Sequence, residues 1–192
     1  DFNMDYIDRS KMFCSEVASF AYSTQGIKLW SIPSGISHPG AVAWLNSFGV
    51  QYFSTQMPSD LEYDKEMVLI AEWFDHDLLW EDHVYNAAMD ALYEQAKQGL
   101  KPEVSYWLLP VARVLKGWSV IKNQLGYIGP IPEGMNASTA LKNKWLTKNH
   151  EDLVESIKLS ASEFTETKGY LPPYWQLVKI ANKHAETKFI GK

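Results

Sequence analysis

Apolar residues recur at three- and four-residue spacing through most of the chain beyond residue 78. The clearest stripe predicts a helix over 81–98, and Gly99 is typical of the position just past a helix end. A second stripe begins at Pro102, and Pro110 should kink or split that helix because an interior proline removes a helical hydrogen bond. The first stripe consists of Val84, Ala87, Ala88, Ala91, Leu92 and Ala96.

Three further helices are predicted towards the C-terminal end. Asn136 or Ser138 should cap the first, since either side chain can accept a hydrogen bond from a free backbone N–H group. This helix should end near Thr147, and the next should span 149–167. The last begins after the two prolines at 172–173, whose missing N–H groups would have no helical partner there anyway.

The first 78 residues combine short helical and extended patterns. β-forming residues predict a strand at 50–54 and a buried strand at 67–71, while 41–45 suits either a helical turn or a brief buried strand. We therefore predict an α+β fold that is mostly α. The predicted domains are 1–78 and a helical extension over 79–192.

Composition excludes several classes of function. Of the 192 residues, 46% are hydrophobic, which suffices for the core of one domain or slightly more. The net charge of −5 argues against nucleic acid as a partner, because phosphate binding needs clustered Lys and Arg. A single cysteine excludes an internal disulfide and makes a cysteine-based metal site implausible. No apolar run approaches the roughly 20 residues of a transmembrane helix.

The single cysteine, Cys14, lies where a polar run gives way to an apolar segment. The spacing of Phe13, Val17 and Phe20 predicts an amphipathic helix, and Cys14 falls in its first turn. In that position the helix dipole favours the nucleophilic thiolate, and free backbone N–H groups can bind the oxyanion formed when a thiolate attacks a carbonyl. The alternative is a buried structural cysteine, since free cysteine is among the most buried residue types.

The run Phe13-Cys14-Ser15-Glu16-Val17 is followed by Ala21-Tyr22 and preceded by Asp1-Phe2-Asn3. This arrangement resembles the YiiX-like branch of the NlpC-type cysteine hydrolases, which are bacterial papain-like amidases with a circularly permuted catalytic domain. The resemblance implies that Cys14 is the nucleophile at the start of a helix. It also implies that 1–78 is the C-terminal portion of the papain-like domain.

The histidine base of this family lies on a strand upstream of the cysteine, so the resemblance implies that an upstream segment is missing from the sequence given. Among the histidines downstream of Cys14, His38 lies in a predicted turn and is the best candidate for an alternative base. His150 and His184 are predicted to be solvated residues of helices.

Glu72, His76 and His83 would fall near one face of a helix, and histidine with carboxylate is ligand chemistry for zinc and non-haem iron. Interleaved aromatic and aliphatic residues favour a simpler interpretation, an amphipathic helix whose first turn carries acidic residues. The acidic segment 58–64 is likewise interpreted as turn and capping chemistry. We predict no metal and no cofactor.

The leading hypothesis is a cysteine hydrolase that cleaves amide bonds through an acyl-thioester on Cys14. By the resemblance, its substrate is a peptide, a peptidoglycan-like amide or a lipid amide, in the bacterial cytoplasm or periplasm. The alternative is a non-catalytic helical binding module with a buried structural cysteine and an aromatic groove. A metal-dependent hydrolase built around His76 and His83 is the third hypothesis.

Overall fold

The computed structural model describes most of the chain and shows a mostly α-helical fold with one two-stranded antiparallel sheet. The residues described are 12, 14–30, 34–65, 67–132 and 134–189. They fall into two compact units. The first lies within Asp1–His38 and Val50–Trp73, and the second within Pro39–Gly49 and Phe74–Lys192.

Six α-helices, numbered in chain order, are present in the described residues. They are α1 (Cys14–Ser23), α2 (Pro39–Ser47), α3 (His76–Lys97), α4 (Leu109–Gln124), α5 (Ala137–Lys168) and α6 (Tyr174–Phe189). Strands β1 (Ser34–Gly35) and β2 (Ser54–Thr55) form the sheet, and short 3₁₀ helices span Pro58–Tyr63 and Tyr106–Leu108. Within this part of the chain, no helix combines the length and apolar character needed to span a bilayer.

The core of the second unit lies between α3, α5 and α6. Its largest fully buried side chains include Leu92, Leu153, Ile157 and Leu177. Alanines fill many of the remaining positions, and their small side chains let the helix backbones approach closely. The buried alanines are Ala87, Ala88, Ala91, Ala161, Ala181 and Ala185.

Capping residues set the ends of the long helices. The carboxylate of Asp75 accepts hydrogen bonds from the backbone N–H groups of Asp77 and Leu78, at 2.9 and 3.1 Å. Asn136 accepts one from the N–H of Thr139 at 2.8 Å. Gly169 ends α5 with φ +79°, a conformation that glycine adopts without steric cost. The acidic helix start and the cap at Asn136 are therefore confirmed.

One of the two predicted helix interruptions is wrong. The run expected to be helical from Pro102 is divided near Pro110, because Tyr106–Leu108 form a 3₁₀ helix and α4 begins only at Leu109. Pro110 lies in the first turn of α4, where its missing N–H group needs no helical partner. The chain is uninterrupted, however, between the predicted helices ending at Thr147 and starting at Asn149, because both lie within α5. The Asn149 side chain does not cap a new helix, since its amide donates to the carbonyl of Trp145 at 2.7 Å.

In the first unit, one carboxylate links the sheet to the 3₁₀ helix Pro58–Tyr63. In the sheet, Ser34 pairs with Thr55 and Gly35 with Ser54. The carboxylate of Asp60 accepts hydrogen bonds from the Ser34 hydroxyl at 2.7 Å and from the backbone N–H of Met57 at 3.0 Å. The hydrogen bond from Ser34 is the main reason that the pKa of Asp60 lies below its usual value. The capping role predicted for 58–64 thus agrees with these contacts.

Other predictions for the first 78 residues fail. The predicted strand 67–71 is not a strand, and Val68 and Ile70 are 83% and 95% exposed. An apolar run forms a strand only where a neighbouring strand pairs with its backbone, and the described residues offer none here. The strand expected at 50–54 begins only at Ser54. Of the two alternatives for 41–45, the helical one is correct, because these residues lie within α2.

Candidate functional site

Cys14 is the first residue of α1, as the sequence predicts, and its side chain is exposed. The N–H groups of the first helical turn have no partner within the helix, and the positive end of the helix dipole lies there. A cysteine packed on all sides, as in the alternative hypothesis, is not what the structure shows. The geometry is that of a thiol open to a reagent at a helix start.

In the first turn of α1, polar side chains face the interior of the protein. Ser15 and Glu16 are buried, whereas Val17 and Phe20 of the predicted apolar stripe are exposed. Phe13, the remaining member of that stripe, and residues 1–11 lie outside the described residues. The hydroxyl of Ser15 has no hydrogen-bond partner in the part of the chain described, which is costly for a buried polar group. This unpartnered hydroxyl directly follows the candidate nucleophile.

The structure does not join Cys14 to a histidine. His38 is exposed and immediately precedes α2. Among the described side chains, no hydrogen bond connects Cys14 with His38 or with any other histidine. A base that takes a proton from a nucleophile must lie within hydrogen-bond reach of it. His38 therefore gains no support as the base from this structure.

The histidines at the start of α3 serve packing contacts. His76 lies edge-on to the ring of Phe74, with the ring centroids 5.0 Å apart, and His83 lies 5.2 Å from the ring of Tyr174. Over the described ranges, no group of three His, Cys, Asp or Glu residues could hold a metal ion. The ligand set suggested by Glu72 and the two histidines is therefore not assembled.

His150 and His184 were expected to be solvated helix residues, and both are partly exposed on helices, but each also contacts a neighbouring helix. The Nε2 atom of His150 lies 3.0 Å from the backbone carbonyl oxygen of Tyr85, so it links α5 to α3. The Nε2 atom of His184 lies 2.9 Å from the hydroxyl of Ser160, which links α6 to α5. Both histidines therefore stabilise helix packing.

A cavity of about 310 Å³ lies in the second unit, lined by α2, the end of α3 with the residues after it, and one residue of α5. Its volume is at the lower end of the range for small-molecule sites. A Cβ atom on Gly40 would lie 2.8 Å from the carbonyl oxygen of Lys97 and 2.9 Å from that of Ala96. This close approach of the α2 backbone to the end of α3 fixes the position of the cavity wall that α2 forms.

The polar groups of the cavity lining are mainly donors. Trp44 and Ser47 line the cavity, and the indole N–H and the hydroxyl are buried without a partner in the described part of the chain. The ammonium group of Lys142 donates to the carbonyl oxygen of Ser47 at 2.7 Å and keeps two further N–H donors. Lys101 adds a second cation, and no lining residue is acidic. The lining chemistry fits an anion with an apolar body.

Sequence reasoning missed this cavity. Ser47 and Lys142 are 95 positions apart, so no local spacing connects them. The one local signal is the Gly40-Ala41 pair at the start of an apolar segment, because small residues mark places where backbones approach.

Comparisons with known proteins returned no relative. No family model matches the sequence, no curated protein matches it, and no solved structure matches the fold. The resemblance to the YiiX-like hydrolases therefore rests on the residues around Cys14 alone and stays a prediction.

Proposed function

We propose that this protein is a cysteine hydrolase that acts on amide bonds through an acyl-thioester on Cys14. The observation that carries the proposal is the position of an exposed thiol at the first residue of a helix. Backbone N–H groups at the start of a helix can hold the oxyanion of the tetrahedral intermediate, which is commonly the largest single contribution to such catalysis.

The proposed reaction has two steps. The thiolate of Cys14 attacks the carbonyl carbon, the C–N bond breaks, and the amine leaves with a proton delivered by a histidinium. Water then attacks the thioester and gives a proton to the neutral histidine. The carboxylic acid is released, and the thiolate and the histidinium are restored. In the family that the sequence resembles, this histidine lies on a strand upstream of the cysteine, and we assign 1–78 to the C-terminal portion of the papain-like domain.

The exposed run 67–71 supports this assignment. Three consecutive apolar side chains, Val68, Leu69 and Ile70, face water in the structure. Exposed apolar surface of this kind is unfavourable by roughly 25 cal/mol for each Å². Further strands of a papain-like sheet would cover the run. On this proposal 79–192 is a helical extension, and the substrate is a peptide, a peptidoglycan-like amide or a lipid amide.

Thiol labelling tests the proposal. The folded protein is treated with iodoacetamide from pH 5 to pH 9, and the labelled fraction is measured by mass spectrometry. Because the chain has one cysteine, every adduct reports Cys14. We expect the folded protein to react faster than the unfolded chain at the same pH, since its thiol is exposed at a helix start.

The urea-unfolded protein is the control, because it presents the same thiol without the helix. Equal labelling rates for the folded and unfolded protein would contradict the proposal, as would labelling that occurs only in urea. In any preparation that hydrolyses amides, Cys14→Ala should abolish this activity.

The second candidate function is the binding module, which now rests on the cavity and no longer on a buried cysteine. Its donor-rich lining with two lysines favours a small organic carboxylate. Benzoate and its neutral analogue benzamide are matched probes for this charge preference. Calorimetric titration should show tighter binding of benzoate, and Lys142→Gln should remove the difference. Equal affinity of the two probes would exclude the anion site.

A further inference from the structure

Helix α4 turns its large apolar side chains outward and its small side chains inward. Ala112 and Ser119 are its buried residues. On the opposite side five large apolar residues follow helical three- and four-residue spacing and are all exposed, with Val114 at 73%. We call these residues the α4 outer face. They are Val111, Val114, Trp118, Ile121 and Leu125, the last of which directly follows the helix.

The orientation of α4 is fixed by contacts on its inner side. The backbone N–H of Ile131 donates to the hydroxyl of Ser119 at 2.9 Å, and that hydroxyl donates to the carbonyl of Leu115 at 2.9 Å. A Cβ atom on Gly129 would lie 2.5 Å from the Cα atom of Ser119, so the following loop packs directly on the helix. Rotation of α4 to bury its outer face would break these contacts.

The segments on both sides of α4 extend the exposed apolar surface with aromatic residues. Tyr106 and Trp107 precede the helix, and Tyr127 and Ile128 follow it, all strongly exposed. Large exposed apolar side chains in this number along one stretch of chain mark an interaction site. Tyr and Trp in particular are enriched where one end of a side chain contacts an apolar phase and the other water.

The charge of this region is opposite to that of the chain. Between positions 104 and 132 there are three basic residues and no acidic residue, although the whole chain carries a net charge of −5. At 100° per residue, Arg113 and Lys122 flank the α4 outer face on opposite sides. Lys116 donates to the carbonyl of Pro132 at 2.8 Å. Cations flanking an apolar stripe are typical of helices that lie in a membrane interface.

We propose that the α4 outer face docks on an anionic lipid surface, with α4 lying in the plane of the interface. The apolar stripe enters the boundary between headgroups and acyl chains, while the long stems of Arg113 and Lys122 let their charges reach the headgroup phosphates. A second copy of the chain is a poorer occupant. A symmetric dimer through this face would bring two basic patches together, and like charges oppose association.

Vesicle flotation tests this proposal on the full chain. The probes are phosphatidylcholine vesicles with and without phosphatidylglycerol. We expect binding only to the anionic vesicles, and weaker binding as salt rises, because salt screens the attraction. Arg113→Glu with Lys122→Glu should weaken binding roughly tenfold or more, since each cation near an anionic surface contributes about a fivefold factor. Trp118→Ser should also weaken it roughly tenfold.

Matched variants outside the face are the controls. Trp175→Ser removes another exposed tryptophan, and Lys144→Glu with Lys183→Glu reverses the same number of exposed charges. Their vesicle binding should equal that of the unchanged protein. Circular dichroism and urea unfolding must show that every variant is folded.

Three results would overturn the proposal. The first is a folded protein that binds neither vesicle type. The second is equal loss of binding in the face variants and the control variants. The third is a dimer, detected by sedimentation equilibrium, that Trp118→Ser dissociates while vesicle binding is absent. Labelling of Cys14 depends on none of these results, so it tests the proposed hydrolase function independently of the membrane proposal.

Discussion

Gly40 lets α2 approach α3 closely because its side chain is a single hydrogen atom. A Cβ atom on this residue would lie closest to two backbone carbonyl oxygens of α3, at 2.8 and 2.9 Å. Backbone oxygens of a helix end cannot swing aside as a flexible side chain would. We therefore expect Gly40→Ala to lower the free energy of unfolding by about 1–3 kcal/mol, the usual cost of overpacking.

Gly117 is the matched control for this prediction. It lies within α4, and a Cβ atom there would meet nothing within 4 Å. Gly117→Ala should raise the free energy of unfolding by up to about 1 kcal/mol, because alanine has the higher helix propensity. Urea unfolding followed by circular dichroism measures both variants. Stability changes of the same sign would contradict the contact at Gly40.

The position of Cys14 at a helix start was predictable because its signal is local. Helical spacing placed Cys14 in the first turn of a helix, and α1 does begin at that residue. The side that α1 buries was not predictable. Its inward side chains are Ser15 and Glu16, and which face of a short helix is buried depends on residues distant in sequence.

At the scale of helices, a hydrogen bond between Tyr174 and Asp90 links the start of α6 to α3. The phenol donates to the carboxylate at 2.6 Å. Burial, followed by the hydrogen bond to Asp90, raises the pKa of Tyr174 to about 12 from an ordinary value of 10.0. The folded state thus holds the phenol proton more tightly than the unfolded state does.

This pKa predicts a loss of stability in alkaline solution. Between pH 10 and about 12 the unfolded chain releases the proton while the folded protein keeps it, so the free energy of unfolding falls as pH rises. Tyr174→Phe should cost about 1 kcal/mol near neutral pH and should flatten this alkaline fall. Urea unfolding from about pH 8 to about pH 11 measures both effects.

Tyr170→Phe is the control for the alkaline experiment, because Tyr170 is more than half exposed and lies just before α6. It should leave the dependence of stability on pH unchanged. If Tyr174→Phe retained the full alkaline fall, the phenol proton would not be its source.

The helices were predictable where each end has its own signal in the sequence. Asn136 and Gly169 bound α5 as expected, because a cap acts through hydrogen bonds within a few residues. The expected break near Asn149 failed because the same side chain can bond either to a new helix start or to the preceding turn. The run 67–71 failed because strand formation needs a partner that local pattern does not supply.

At the scale of the whole molecule, stability of the second unit rests on the core between α3, α5 and α6. Leu177 of α6 is fully buried in that core. Leu177→Ala should lower the free energy of unfolding by about 2–5 kcal/mol, the range for removing a buried leucine side chain. Urea unfolding followed by circular dichroism tests this, since most of the helical signal comes from these three helices.

Leu159 offers the matched control, because it lies on α5 but is 64% exposed. Leu159→Ala should change stability by no more than about 0.5 kcal/mol. Similar losses of stability for the two variants would mean that burial does not determine the cost of removing a leucine side chain.

The cavity forms only when distant segments of the chain pack together, and for this reason the sequence did not reveal it. Its walls come from α2, the end of α3 and Lys142 of α5, segments that only the folded chain brings together. Periodicity predicts which helices exist, but it does not predict which of their faces meet.

The place of α2 in the second unit affects how the protein is made. Ribosomal synthesis releases Pro39–Gly49 before the helix against which Gly40 packs, and residues 50–73 of the first unit emerge in between. In the folded protein α2 packs against α3, and Trp44 of α2 is buried. Until α3 has been synthesised, α2 lacks this packing partner, and the apolar side chain of Trp44 is one that chaperones can recognise. A gene fragment cut at position 74 would encode α3 to α6 without this segment. A fragment that carries the whole second unit must start no later than residue 39, and it then includes residues 50–73 of the first unit.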